Sequence, residues 1–107
     1  MDKLVPDGSQ GGRFDYSCDD CVVGTVVLLK LGTQMQIWSL EIFPEYRGLG
    51  HGRNLTKACL NLAKHEGCNT VWLRVNHTNI LACTLYLSMG FMVVSDRLRD
   101  FEMECKV

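Results

Sequence analysis

From Phe43 to Gly52 the sequence reads Phe-Pro-Glu-Tyr-Arg-Gly-Leu-Gly-His-Gly, with glycine at positions 48, 50 and 52. Glycine accepts positive φ and lets a ligand approach the backbone closely. An apolar run (Ile37, Trp38, Leu40, Ile42) enters this stretch, and a segment with helical spacing leaves it. A loop placed there turns its own amide N–H groups, and the unpaired first-turn amides of the helix, towards one spot. The positive end of the helix dipole lies at the same spot, so the natural occupant is a pyrophosphate. A plain strand-to-helix turn would use the same residues, and spacing alone leaves both readings open. Two familiar phosphate loops are excluded. There is no Gly-Lys-Ser/Thr ending to bring a lysine to β and γ phosphates. The third glycine of Gly-x-Gly-x-x-Gly would have to replace Arg53. What the stretch does match is Arg-x-x-Gly-x-Gly, at Arg47, Gly50 and Gly52.

That pattern resembles the acetyl-CoA loop of the GNAT superfamily of N-acetyltransferases. A second block, with Asn79, Ala82, Leu85, Tyr86, Gly90 and Phe91 in place, is similar to the family's Asn-x-x-Ala-x-x-Leu-Tyr-x-x-x-Gly-Phe helix. The two blocks and their flanks span about Val22 to Val107. The resemblance implies an acetyl-CoA-dependent N-acetyltransferase, with acetyl-CoA as co-substrate and no metal. It would act on a primary amine of a small molecule or peptide, by direct attack in a ternary complex. It implies that the loop residues Arg47, Gly48, Leu49, Gly50, His51, Gly52 and Arg53 hold the pyrophosphate. Leu40 and Ile42 would offer backbone partners to the pantetheine arm, including an N–H aimed at the thioester oxygen, and one such donor is worth about 10²–10³ in rate. Asn79 and Tyr86 stand seven apart, two helical turns, and so share a face towards the cofactor.

Tyr86 is the implied general acid. A phenol of pKa about 10 is protonated at neutral pH and can donate to a thiolate of pKa about 8.5. Packing against the sheet is the other use of such a ring. A base is harder to find. Deprotonating a lysine amine at pH 7 costs roughly 4.6 kcal/mol, against about 1 kcal/mol for an α-amine, so an ordered water or a carboxylate helps. Relatives place a glutamate at positions that correspond to Gln36 and Arg74, and neither residue can serve. Glu41 is the only acid in the strand before the loop, and it is the candidate base, with a solvent-facing role as its alternative. Two functions therefore stay open. One is the enzyme. The other is a CoA-binding module, catalytically weak or inactive, acting as a regulatory or interaction subunit.

At 107 residues the chain makes one domain. A net charge of −1 provides no field to recruit nucleic acid or an anionic membrane. The N-terminus has no signal-peptide core, and the longest apolar run, Val22 to Leu29, is far short of a membrane span. Six cysteines stand at 18, 21, 59, 68, 83 and 105. Cys18-Asp-Asp-Cys21 is the only close pair, and no second pair completes a zinc site. Reduced thiols in the cytoplasm are expected.

The elements that must position these groups follow from periodicity. Residues 1–12, with Pro6, Gly8, Gly11 and Gly12, read as a flexible leader before a single domain over 13–107. Arg13–Ser17, Cys21–Leu31 and Met35–Phe43 read as strands, the last two antiparallel across Gly32-Thr33. Arg53–Glu66 reads as a helix, with Leu55, Ala58, Cys59, Leu62 and Ala63 on one stripe and Gly67 as its stop. Thr70–Val75 is a strand with Val71, Leu73 and Val75 on one face and Trp72 and Arg74 on the other. Thr78 or Asn79 caps a second helix, Ile80–Met89. Phe91–Ser95 and Phe101–Val107 are closing strands. The expected class is α+β: a mixed, mostly antiparallel central sheet with two helices. The GNAT resemblance implies the same fold, here without the usual first strand and N-terminal helices. Apolar surface would then be left uncovered, and a second copy of the chain is expected to cover it.

Overall fold

In the computed structural model, which describes residues 2–8 and 12–107, the chain folds into one seven-stranded sheet and two α-helices. The strands are β1 (Asp2–Pro6), β2 (Arg13–Cys18), β3 (Cys21–Leu31), β4 (Gln34–Ile42), β5 (Thr70–Asn76), β6 (Met92–Asp96) and β7 (Asp100–Lys106). The helices are α1 (His51–His65) and α2 (Ile80–Ser88), with a 3₁₀ turn at Pro44–Tyr46 before α1. The sheet order is β1-β2-β3-β4-β5-β7-β6, and all neighbours are antiparallel except β4 and β5. That parallel pair needs a crossover connection, which α1 supplies. The α+β class with two helices is therefore the observed one.

One expectation is corrected. Asp2–Pro6, placed in a flexible leader by its glycines and proline, is a strand that pairs with β2 from Asp2↔Cys18 to Pro6↔Phe14. Leu4 is the physical reason: it stands opposite Tyr16 and packs against the core. The first strand expected to be missing is thus present at the sheet edge. The rest of the supposed leader, Met1 and residues 9–11, lies outside the described residues.

Both helices pack on one face of the sheet. Along α1, Leu55, Cys59 and Ala63 are buried, as the stripe predicted, and so is Thr56. Its hydroxyl donates to the Gly52 carbonyl at 2.8 Å, which removes the penalty of burying it. From α2, Cys83 and Tyr86 enter the same core as Tyr16, Val26, Ile37, Leu73 and Phe91. Full burial of each such apolar side chain is worth roughly 1.5–3 kcal/mol. α1 starts at His51, two residues before the sequence expectation, and Gly67 follows its end at φ 80°. Among the described residues, no helix is long and apolar enough to cross a membrane.

Candidate active site

β4 and β5 are paired only from Gln34↔Thr70 to Ile37↔Leu73, although β4 runs on to Ile42 and β5 to Asn76. The ladder stops at a bulge. On the other side of β4 the register passes from Leu28↔Ile37 to Val27↔Ser39, leaving Trp38 as an extra residue. An extra residue bends its strand and sharpens the local twist, and here the two parallel strands diverge beyond it. The bulge also resets the alternation, so that Met35 and Ile37 before it and Leu40 and Ile42 after it all face the helices. The shift of apolar residues from odd to even positions was the signal for it in the sequence.

Between the diverging strands lies a cleft of about 160 Å³, lined by Ile37 to Leu40, Leu73 to Asn76, Asn79, Ala82 and Tyr86. The edge of β4 that faces it has no ladder partner past Ile37. A second cavity of about 300 Å³ continues from it, sharing Asn79 and Ala82 and reaching Ile42, Arg47, Gly48, Gly50, His51, Gly52 and Leu85. The two adjoin at Asn79 and Ala82, and the groove they line reaches from the glycine loop to the gap in the sheet.

At the loop end, Gly48 and Gly50 hold φ of 79° and 86°. Gly50 is the N-cap of α1 in the left-handed region, and no side chain caps the helix. A Cβ on Gly50 would meet no atom within 4 Å, so the backbone conformation and the open approach call for glycine, not a clash inside the protein. The first intrahelical bond runs from Asn54 N to Gly50 O at 3.1 Å. The amides of His51, Gly52 and Arg53 before it have no helical acceptor, which is the donor set an anion would use. The loop side chains play other parts. Arg47 Nε donates to the Ile42 carbonyl at 2.8 Å and ties the loop to the end of β4. Arg53 Nη2 donates to Ser88 Oγ at 2.9 Å and ties α1 to α2. Leu49 is exposed. His51 lies edge-on to Tyr46, 6.3 Å between ring centres, and its buried Nδ1 has no partner among the described residues. Tyr46 Oη sits 2.9 Å from Cys21 Sγ, an anchor that sequence reading missed because it joins residues 25 apart.

At the sheet end, Asn79 is the N-cap of α2, its Oδ1 accepting from Ala82 N at 3.3 Å. Tyr86 is buried in the cleft wall against Phe91, ring centres 5.6 Å apart. Burial pushes its phenol up to about 12, helped by the nearby Cys59 and Cys83. Tyr86 therefore keeps its proton at every physiological pH. Leu40 lines the cleft and Ile42 the adjoining cavity. Glu41 does not. It stands opposite Thr25 on the sheet face away from the helices, exposed and outside the cleft lining, because the reset alternation turns it outward between Leu40 and Ile42.

The helix-free side of the gap carries a cluster that sequence reading did not assemble. The Trp38 and Trp72 rings lie 5.0 Å apart, and the Arg74 guanidinium is 5.9 and 5.7 Å from their centres. Trp72 Nε1 donates to Glu102 Oε1 at 3.1 Å. Only the bulge at Trp38 and the pairing of β5 with β7 bring these four residues together. No group of three or more metal-binding side chains occurs among the described residues.

Comparison with known proteins bears on the fold and the family. The chain is 26% identical over 98 residues to a [ribosomal protein bS18]-alanine N-acetyltransferase of Haemophilus ducreyi, covering 89% of this chain and 68% of that protein. Its fold matches that of the PaiA N-acetyltransferase of Thermoplasma acidophilum, solved in complex with coenzyme A, with a TM-score of 0.79 at 24% identity. That match covers 89% of this chain and 60% of the other, so the chain spans less than two thirds of that relative. An IAA acetyltransferase of Bacillus cereus superposes over all of this chain and 99% of its own, with a TM-score of 0.84 at 17% identity. The model of the acetyltransferase (GNAT) family matches residues 5–91, so this chain belongs to the GNAT family.

Proposed function

We propose that the protein transfers an acetyl group from acetyl-CoA to a primary amine by direct attack. The observation that carries this reading is that two cavities sharing Asn79 and Ala82 reach from the start of α1 to the gap beside Tyr86. The residues present fit the donor. Amides of Gly50 to Arg53 would hold its pyrophosphate, and the open edge of β4 from Trp38 to Ile42 would pair with its amide-bearing arm. Bound there, acetyl-CoA supplies an activated acetyl thioester. Tyr86, protonated and lining the gap, would donate its proton towards the departing sulfur. The acceptor nitrogen would form the new C–N bond as the C–S bond breaks, and the proton it sheds would pass to water, from which Tyr86 regains its own. With Glu41 outside the cleft, an α-amine, about 1 kcal/mol from its neutral form at pH 7, suits the site better than a lysine side chain. Buried thiols at Cys59, Cys68, Cys83 and Cys105 fit a reducing compartment, the cytoplasm.

A second reading, a CoA-binding module with little turnover, draws on the same placement of Glu41 and on Arg74 in the cleft wall. Free-thiol release from acetyl-CoA across a panel of amines and peptides separates the two, since the module releases little or none. Both readings require the loop. Gly50→Val would put a β-branched side chain at φ 86° and into the approach path, and calorimetry should show coenzyme A binding abolished. Equal affinity in the wild type and the variant would end both readings.

A further inference from the structure

We infer that Arg74 makes the acceptor end of this groove a site for an amine that also carries a carboxylate, as a free amino acid does. The inference rests on the acetyl-transfer reading only for placing the amine in the gap. Arg74 lines the gap from β5, and its side chain is 44% exposed on the helix-free face. Its guanidinium is held beside both indoles, and Trp38 is in turn held by donation from Nε1 to Gln36 Oε1 at 2.9 Å. An anchored guanidinium loses less entropy on binding and presents a planar pair of donors that matches a carboxylate.

The charges leave Arg74 available. Glu102 Oε2 lies 2.7 Å from Arg97 Nε but 3.7 Å from Arg74 Nη2. One carboxylate thus faces two guanidiniums, and Arg74 is the looser partner. Asp100 and Glu104 stand beside them on β7, opposite Asn76 and Trp72, and Glu41 lies on β4 opposite Thr25. None of the three is ion-paired with Arg74 among the described residues, where Glu102 is its partner. Arg74 thus shares Glu102 with Arg97, and beside Asp100 and Glu104 a monoanion meets less repulsion than a phosphate dianion would.

The chain has two tryptophans, and both flank Arg74, so intrinsic fluorescence reports binding without turnover. Protein saturated with coenzyme A is titrated with a panel of amino acids, each paired with its amide, and with alanyl-aspartate. An amino acid should bind about 10–100-fold tighter than its amide, the range for a hydrogen bond to a charged group. Arg74→Gln should abolish that difference, Arg74→Lys should keep part of it, and Glu102→Gln should strengthen carboxylate binding. Tighter binding of alanyl-aspartate than of the free amino acids would make a peptide the source of the same carboxylate. Equal affinity for acid and amide, a difference that survives Arg74→Gln, or no response to any probe overturns the inference. Parallel thiol-release assays keep the two readings apart. Turnover without carboxylate preference removes the role of Arg74 and keeps acetyl transfer. Arg74-dependent binding without turnover does the reverse.

Discussion

The two faces of the sheet are built from alternate residues of the same strands, yet they differ in almost every physical respect. On the face under α1 and α2, Val26 is fully buried and Leu28 and Ile37 nearly so. On the other, Leu29 and Leu31 are 45% and 51% exposed, and Trp38 is 50% exposed. No α-helix covers that second face among the described residues. Its buried member, Trp72, is roofed by Trp38, Arg74 and Glu102, not by another layer. One face supplies cohesion and the other displays polar and aromatic groups, and the gap beyond Ile37 is where they communicate. Tyr86 reaches that gap from the packed side and Arg74 from the open side.

The strongest way to sharpen this contrast is to remove one atom from the packed side of the gap. Tyr86→Phe keeps the ring against Phe91 and deletes only the proton donor. It should lower kcat by about 10²–10⁴ with little change in acetyl-CoA affinity. Activity within a few-fold of wild type would reduce Tyr86 to a core residue. Next comes cohesion itself. Leu55 is fully buried under the sheet, and Leu55→Ala should cost about 2–5 kcal/mol in denaturant unfolding.

A smaller effect separates the faces by pH. Burial raises Tyr86 from 10.0 and Cys59 from 9.0, each to about 12. Both are neutral when protonated, so between about pH 9 and 12 the unfolded chain has already lost protons that the folded chain retains. Their contribution is fully present below pH 9 and falls as pH rises through that window. Thermal melts across it should show the decline, and Tyr86→Phe should flatten its upper part. The smallest effect belongs to the open face. Leu29→Ser and Leu31→Ser should each change stability by no more than about 0.5 kcal/mol, unlike any core truncation. Sedimentation at tens of micromolar tests the same pair for association. A wild type that self-associates, with the double variant monomeric, would mean that a second copy closes this face.

Much of this could be read from local pattern. The glycines at 48, 50 and 52 marked the start of a helix, Leu55, Cys59 and Ala63 its buried side, and Thr78 or Asn79 the cap of the next. These signals act within one or two turns, where the chain cannot avoid them. β1 escaped notice because Leu4, its core contact among the described residues, is followed by a proline and several glycines and holds its place by pairing with β2. The bulge left a signal, a change of phase that the strand reading passed over, whereas the divergence of β4 from β5 left none, since the two strands lie 28 residues or more apart in sequence.

By itself, then, the sequence determined the family, the glycine loop with its helix start, and the placing of Tyr86 one helix later. All of these rest on short-range spacing, which backbone geometry converts directly into structure. Tertiary structure alone decided that the strands part at Ile37, that Glu41 faces away from the cleft, and that Arg74 meets Trp38, Trp72 and Glu102 beside it. Those outcomes depend on register. In a strand, one extra residue such as Trp38 reverses the facing of every side chain after it, and only pairing with a distant strand reveals where that residue falls.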